Sequence, residues 1–380
     1  MPTTVTDMWQ RSLATLTRLF KGTVRLGDWR LSRAPGQSTL LLSARDDANG
    51  GHYAVGYRLD GSEAFCTQVR QRCHAIIEHP SQPVALFVAR RPGTESYLID
   101  LRDGRLLQTL RAEPDRHFYG HAVIHRSGEW LYATENDTRD PGRGVLGVYR
   151  FNDNRLERTA ELSTHGIGPH ELAWMPDGET LVVANGGIRT EAESRVEMNL
   201  EAMEPSLVLM GRDGRLISKE TLAQPMNSIR HLAVAEDGTV AACQQFMGGG
   251  DEVAQLLAIK RPGEPFVPFP INDEQLLSMG NYTASVAIHH ALRLVALTAP
   301  RANRFFVWGL DTAEVIVDAP MPDCAGVAAV DGGFVVTSGQ GRCRYYSAAT
   351  GSWLGTPLQL PSGLWDNHLQ VVQKAVALGR

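Results

Sequence analysis

One short pattern returns along this 380-residue chain, and no other feature limits its fold as strongly. It consists of an anchor residue, an apolar strand, a tight turn and a second apolar strand. The copies are CHAIIEHPSQPVALFVARRPG (73–93), GHAVIHRSGEWLYATEND (120–137), PHELAWMPDGETLVVAN (169–185), RHLAVAEDGTVAACQQF (230–246), SVAIHHALRLVALTAP (285–300) and GVAAVDGGFVVTSGQG (326–341). A seventh begins as NHLQVV (367–372). The anchors fall at 74, 121, 170, 231, 285, 326 and 368, a mean step of 49 residues. That is close to the length of a four-stranded propeller blade.

The rest of each unit agrees. Third strands such as SYLIDL, VLGVYRF, SLVLMG, LLAIK and FFVWGL follow, and then fourth strands such as RLLQTLRA, RLERTAEL, RLISKETL and EVIVDAPM. Their alternation and β-branched content are those of half-buried strands. The seventh copy has no room for three further strands before Arg380, whereas TLLLSARDD, HYAVGYRLD and EAFCTQV precede the first anchor. The C-terminal strand is therefore expected to become the inner strand of a blade begun near the N-terminus, a closure that removes sheet edges. The expected fold is an all-β, seven-bladed β-propeller over residues 38–380, with residues 367–372 paired beside 38–46. A pair of β-sandwiches would not produce seven aligned units. Residues 1–37 form an expected extension, with a short amphipathic helix at 8–21 (Met8, Trp9, Leu13, Leu16, Leu19, Phe20).

Composition narrows the function classes. A net charge of −5 and a pI near 6.2 lack the basic footprint of nucleic-acid binding. No run of 18 apolar residues marks a membrane-spanning helix. The five cysteines have no CxxC spacing, which points to neither a zinc site nor a disulfide scaffold. G-x-S-x-G, P-loop, Rossmann and HExxH signatures are absent.

The anchors carry the chemistry. Five of the seven are histidine (His74, His121, His170, His231 and His368), out of 12 in the chain. Radial repetition points them toward one axis, on the face to which the second strands return. Those strand ends add Arg45 and Asp46, Arg90 and Arg91, Glu135 and Asn136, Asn185, and Gln244 and Gln245. One reading makes the ring a metal site, with Glu135 beside the histidines and with Arg45, Arg90, Asn136, Asn185 and Gln245 lining the mouth. Neutral imidazoles are required, so affinity should fall through roughly pH 6–5. The competing reading keeps each histidine hydrogen-bonded within its own blade. His117 and Tyr119 stand near the rim, and His79, His125, His289 and His290 are expected to be outward or packed. Asp366 and Glu171 neighbour anchors and are candidates to orient an imidazole, although alternation points Glu171 away from the channel. The insertion 186–206 is either a lid or a surface excursion.

The segments HFYGHAV, YATENDTRDPGRGVLGVY, GIGPHELAWMPDGETLVVANGGIRT, SIRHLAVAEDGT and WDNHL resemble an uncharacterised family of bacterial propeller proteins. Members of that family are usually exported and often encoded beside imelysin-type iron-uptake genes. The resemblance runs from about residue 38 to 372. It implies a periplasmic setting, a link to iron acquisition and imelysin-type partners, although the twin-arginine signal usual in the family is not visible here. A weaker similarity, carried by the phrase H-L-A-x-x-P-D-G, is to lactonase-type propellers. Three functions follow as expectations. The first is a binding protein of an iron-uptake system holding a metal, iron or copper, or a metal complex. The second is a metal-assisted lactonase-like hydrolase, and the third is an interaction platform with structural histidines.

Overall fold

In the computed structural model the described residues are 39–191, 196–250 and 252–372. The helix expected at 8–21 lies outside them. The described strands form seven antiparallel sheets in a ring, six of them four-stranded with strands in chain order. Blades one to six span residues 73–111, 116–163, 169–220, 227–268, 285–320 and 324–359. Blade seven is the composite anticipated from the truncated repeat. Its outer strands are Leu40–Asp46, His52–Arg58 and Glu63–Val69, and its inner edge comes from Leu364–Trp365 and Gln370–Val372. The register pairs Leu40 with Val372, Leu42 with Gln370 and Arg45 with Trp365.

Burial explains the cohesion. Each of the seven hydrophobic clusters fills the seam between two consecutive blades, and the last joins blade seven to blade one. Period-two geometry sends alternate residues of a strand to opposite seams. In Leu40–Asp46, Leu40, Leu42 and Ala44 pack against blade one, and Leu41 packs against blade six. In Val84–Ala89, Val84, Leu86 and Val88 face blade two while Ala85 and Phe87 face blade seven. The second strands of blades one, three and five are thus apolar on both faces and almost wholly buried. Fourth strands such as Leu216–Glu220 are mostly exposed and carry the polar residues.

Histidines at the far ends of inner strands fasten blades together. His79 Nε2 donates to the carbonyl of Gly128 at 3.0 Å, and His125 Nε2 to that of Gly178 at 3.0 Å. Each acceptor lies in the turn of the next blade. A short helix, Asp273–Ser278, was not anticipated; the Asn272 side chain caps it by accepting from the Gln275 amide at 2.9 Å. The segment after it sets Tyr282 against Gln245 on the anchor face.

Candidate metal centre at the propeller axis

The anchor histidines sit where the strand ladder is interrupted. In blade one the pairing jumps from Cys73–Ala89 to Ile76–Phe87, so His74 falls within a bulge. The same happens around His121 between Phe118 and Ala122, around His170 between Pro169 and Glu171, and around His231 between Ile229 and Leu232. His368 occupies the gap between the two inner segments of blade seven. Bulges re-aim side chains, which here turns five imidazoles toward the axis. Blade five, which has Ser285 at this position, pairs without a shift. Hydroxyls on second strands tie the kinked backbone down: Thr134 donates to the His121 carbonyl at 3.1 Å, and Ser43 to that of His368 at 2.8 Å.

The five rings come from consecutive blades (seven, one, two, three and four) and lie against one another. Centroid separations run His368–His74 4.4 Å, His74–His121 5.0 Å, His121–His170 4.9 Å, His170–His231 4.7 Å and His231–His368 4.7 Å. Gly120 makes this approach feasible. Its φ is +112°, and a Cβ there would lie 2.7 Å from the His74 ring.

Carboxylates from neighbouring blades hold the rings. Asp366 of blade seven, 1% exposed, pairs with His74 Nδ1 at 2.6 Å. Glu171 of blade three bridges two blades, standing 3.0 Å from His231 Nδ1 and 3.5 Å from His121 Nδ1. It also accepts from the Leu232 amide at 2.9 Å. The expectation that alternation turns Glu171 away fails because the bulge at His170 breaks the alternation. With Nδ1 facing a carboxylate, His74, His121 and His231 keep Nε2 for a ligand. Buried and unpartnered atoms remain at His121 Nε2, His170 Nδ1 and His368 Nε2. Unpartnered nitrogens clustered this way call for a ligand.

The electrostatics suit coordination. Burial pushes His74 down to about 3, outweighing the pull of Asp366 in the opposite direction. His170 and His368 also lie well below the ordinary imidazole value, through burial first and then the neighbouring imidazoles. His231 is lowered by burial despite Glu171. Neutral imidazole is the coordinating form. Burial opposes the charges of Glu171 and Asp366, but the adjacent histidines, with Arg90 beside Asp366, hold both carboxyls below their usual range.

Four of the rings could hold one metal ion. His74, His121, His231 and His368 each offer a nitrogen, and these nitrogens lie within 4.8 Å of one another. Two imidazoles on opposite sides of one ion, each about 2.1 Å from it, stand about 4.2 Å apart, so binding draws the rings slightly inward. His170 touches the group by its ring but stands outside the four.

The other expected site residues divide. Arg90 comes near, 3.8 Å from Asp366. Glu135 does not. It is fully buried within blade two, accepting from Tyr149 Oη and from Arg158 at 2.9 Å, because its side chain faces the third and fourth strands and not the axis. Asn185 is likewise built into its blade, donating to Thr164 and Ser206, and Asn136 donates to His117 at 3.0 Å. Arg45 turns to the Ser362 carbonyl and the Tyr53 ring. Gln245 pairs its backbone with Tyr282. The described part of the insertion is docked on the protein, since buried Thr190 meets Tyr119 Oη at 3.1 Å. Replacing Glu135 by Ala removes the acceptor of the Tyr149 hydroxyl and one of the two carboxylates on Arg158, leaving Glu161 at 3.0 Å, and should cost about 1–3 kcal/mol in denaturant unfolding. Metal affinity should stay at the wild-type value, and a parallel loss of affinity would return Glu135 to the site.

Comparison with known proteins fits the fold. The family described as "Protein of unknown function (DUF1513)" matches residues 67–372. The chain belongs to this family. Among solved structures it is similar to hydrazine synthase of Kuenenia stuttgartiensis, at 13% identity and a TM-score of 0.56. That match covers 93% of this chain and 100% of the other, and at such identity it speaks to the propeller fold alone. No curated protein sequence matches.

Proposed function

We propose that this DUF1513 member is a metal-binding protein whose metal, iron or copper, is held by His74, His121, His231 and His368. The observation that carries the reading is the convergence of four imidazole nitrogens, three of them on rings whose Nδ1 faces a carboxylate. All-imidazole donor sets suit iron, copper, nickel and zinc. Four donors, with a fifth ring in contact, fill more of the coordination sphere than the three protein ligands usual in hydrolytic zinc sites. That favours holding a metal over lactone hydrolysis. The resemblance carried by HFYGHAV and WDNHL supports a bacterial iron-uptake setting, in the periplasm and with imelysin-type partners.

The test is titration of the metal-free protein with Fe(II), Cu(II) and Zn(II) in turn, beside a His121→Ala/His231→Ala variant. Wild type should take one ion per chain, and the variant should lose at least about a hundredfold in affinity. Glu171→Gln, which keeps the shape but weakens the hold on two rings, should cost about 10–100-fold. Equal affinity for wild type and the double variant would sink the reading.

A further inference from the structure

His170 is the anchor histidine left over once the four ligands are counted, and its setting differs from theirs. Its ring centroid lies 4.7 Å from that of His231, 4.9 Å from that of His121 and 6.2 Å from that of His74. It thus touches three of the four ligand rings and caps the face of the set that lies opposite His368. It supplies no nitrogen to the group of four. Carboxylates orient His74, His121 and His231 at Nδ1. His170 has no such hold, and its Nδ1 is buried without a hydrogen bond. The nitrogen left over is also a different one, since His121 and His368 leave Nε2.

A neutral imidazole carries one N–H and one lone pair, and a buried ring nitrogen without a partner calls for one. A ligand ring needs its nitrogen about 2.1 Å from the ion. A nitrogen standing outside that group instead suits a hydrogen bond to something the ion itself holds. We propose that the ion bound by His74, His121, His231 and His368 keeps an open position on the face capped by His170. A small oxygen ligand of the hydroxide or dioxygen class binds there, and His170 Nδ1 hydrogen-bonds it. This rests on the metal-binding reading. Four imidazoles leave positions free on a metal that takes five or six ligands, as non-haem iron does. Protonated at Nδ1, the His170 ring donates to the ligand oxygen; protonated at Nε2, it accepts from a bound hydroxide or water. Either tautomer satisfies the buried nitrogen.

The test uses the full chain loaded with one equivalent of Cu(II) and titrated with azide, a probe that takes the place of hydroxide on a metal. Wild type should develop a saturable azide-to-copper charge-transfer band at one azide per copper. His170→Leu should bind copper as wild type does and hold azide about tenfold more weakly, the worth of one hydrogen bond. His170→Asn, whose amide falls near the Nδ1 position, should restore most of the azide affinity. Melting of the metal-free variants checks that each is folded, and His170→Ala replaces His170→Leu where the latter is not. Copper-loaded wild type without an azide band overturns the proposal, because the position is then closed. Equal azide affinity in wild type and His170→Leu overturns it too. A His170→Leu protein that loses copper affinity makes His170 a fifth ligand and ends the proposal while keeping the metal reading. Wild type that takes no copper, iron or zinc overturns the metal reading itself.

Discussion

A chain that stops before Leu364 should fail to fold cooperatively at the wild-type midpoint and should aggregate. Residues 364–372 supply the inner edge of blade seven and pair with Leu40–Asp46, most of whose side chains are fully buried. Without them that strand becomes a long apolar edge, which is a template for pairing between chains. Two seams open at once, since Val372 belongs to the cluster against blade one and Trp365 to the cluster against blade six. Asp366 also goes, freeing His74 and weakening the hold on Arg72 and Arg90. The combined loss rivals a typical total stability of about 5–15 kcal/mol. A milder variant keeps the question measurable: Trp365→Ala leaves the strand but removes a side chain 5% exposed and 5.5 Å from the Tyr57 ring. It should cost about 3–5 kcal/mol. A shortened chain that melts like wild type would refute closure.

That closure was legible from NHLQVV alone, because one strand cannot make a blade and three orphan strands waited at the other end. The ring of histidines was legible for a related reason. A repeat converts equal offsets along the chain into equal positions around an axis, so five anchors at one offset must converge. What the offset does not reveal is the state of the backbone at the anchor. Every anchor histidine lies in a bulge or a gap between paired segments, and inside a bulge the strict alternation of faces no longer applies. Glu171 was misjudged for that reason and proves to be the carboxylate bridging His121 and His231.

Glu135 failed in the opposite way. It lies on a regular stretch of the second strand, so its direction follows the sheet, toward Tyr149 and Arg158, which are 14 and 23 residues further along the chain. Nothing in the local sequence announces those partners.

Acidification should unfold the metal-free protein well above the pH at which its carboxylates alone would yield. In the unfolded chain each histidine titrates at about 6.5. In the fold, burial keeps His74 neutral down to about 3, and His170, His231 and His368 are lowered as well. Below about pH 6.5 the unfolded state therefore binds protons that the folded state refuses. The stability is present in full above that value and is lost as pH falls toward the folded values. His74 alone accounts for on the order of 4–5 kcal/mol by the bottom of its window, at about 1.4 kcal/mol for each pH step of one across it. Glu171 and Asp366, also lowered, add to the loss once the pH drops below the ordinary carboxyl range. The unfolding midpoint should be flat near neutrality, decline below about pH 6.5 and collapse at about pH 4. Metal affinity of the still-folded protein behaves differently. His74, His231 and His368 take up protons less readily than free histidine, so affinity should decline at a lower pH than free-histidine behaviour would give. Saturating metal, which binds the folded state alone, should then raise the midpoint at every pH above that decline, by about 4 kcal/mol of stability at a thousandfold excess over the dissociation constant. A midpoint indifferent to pH between neutrality and the carboxyl range would mean that the rings are not held neutral by burial. A metal affinity that decays with free-histidine behaviour would mean that the ion sits somewhere else.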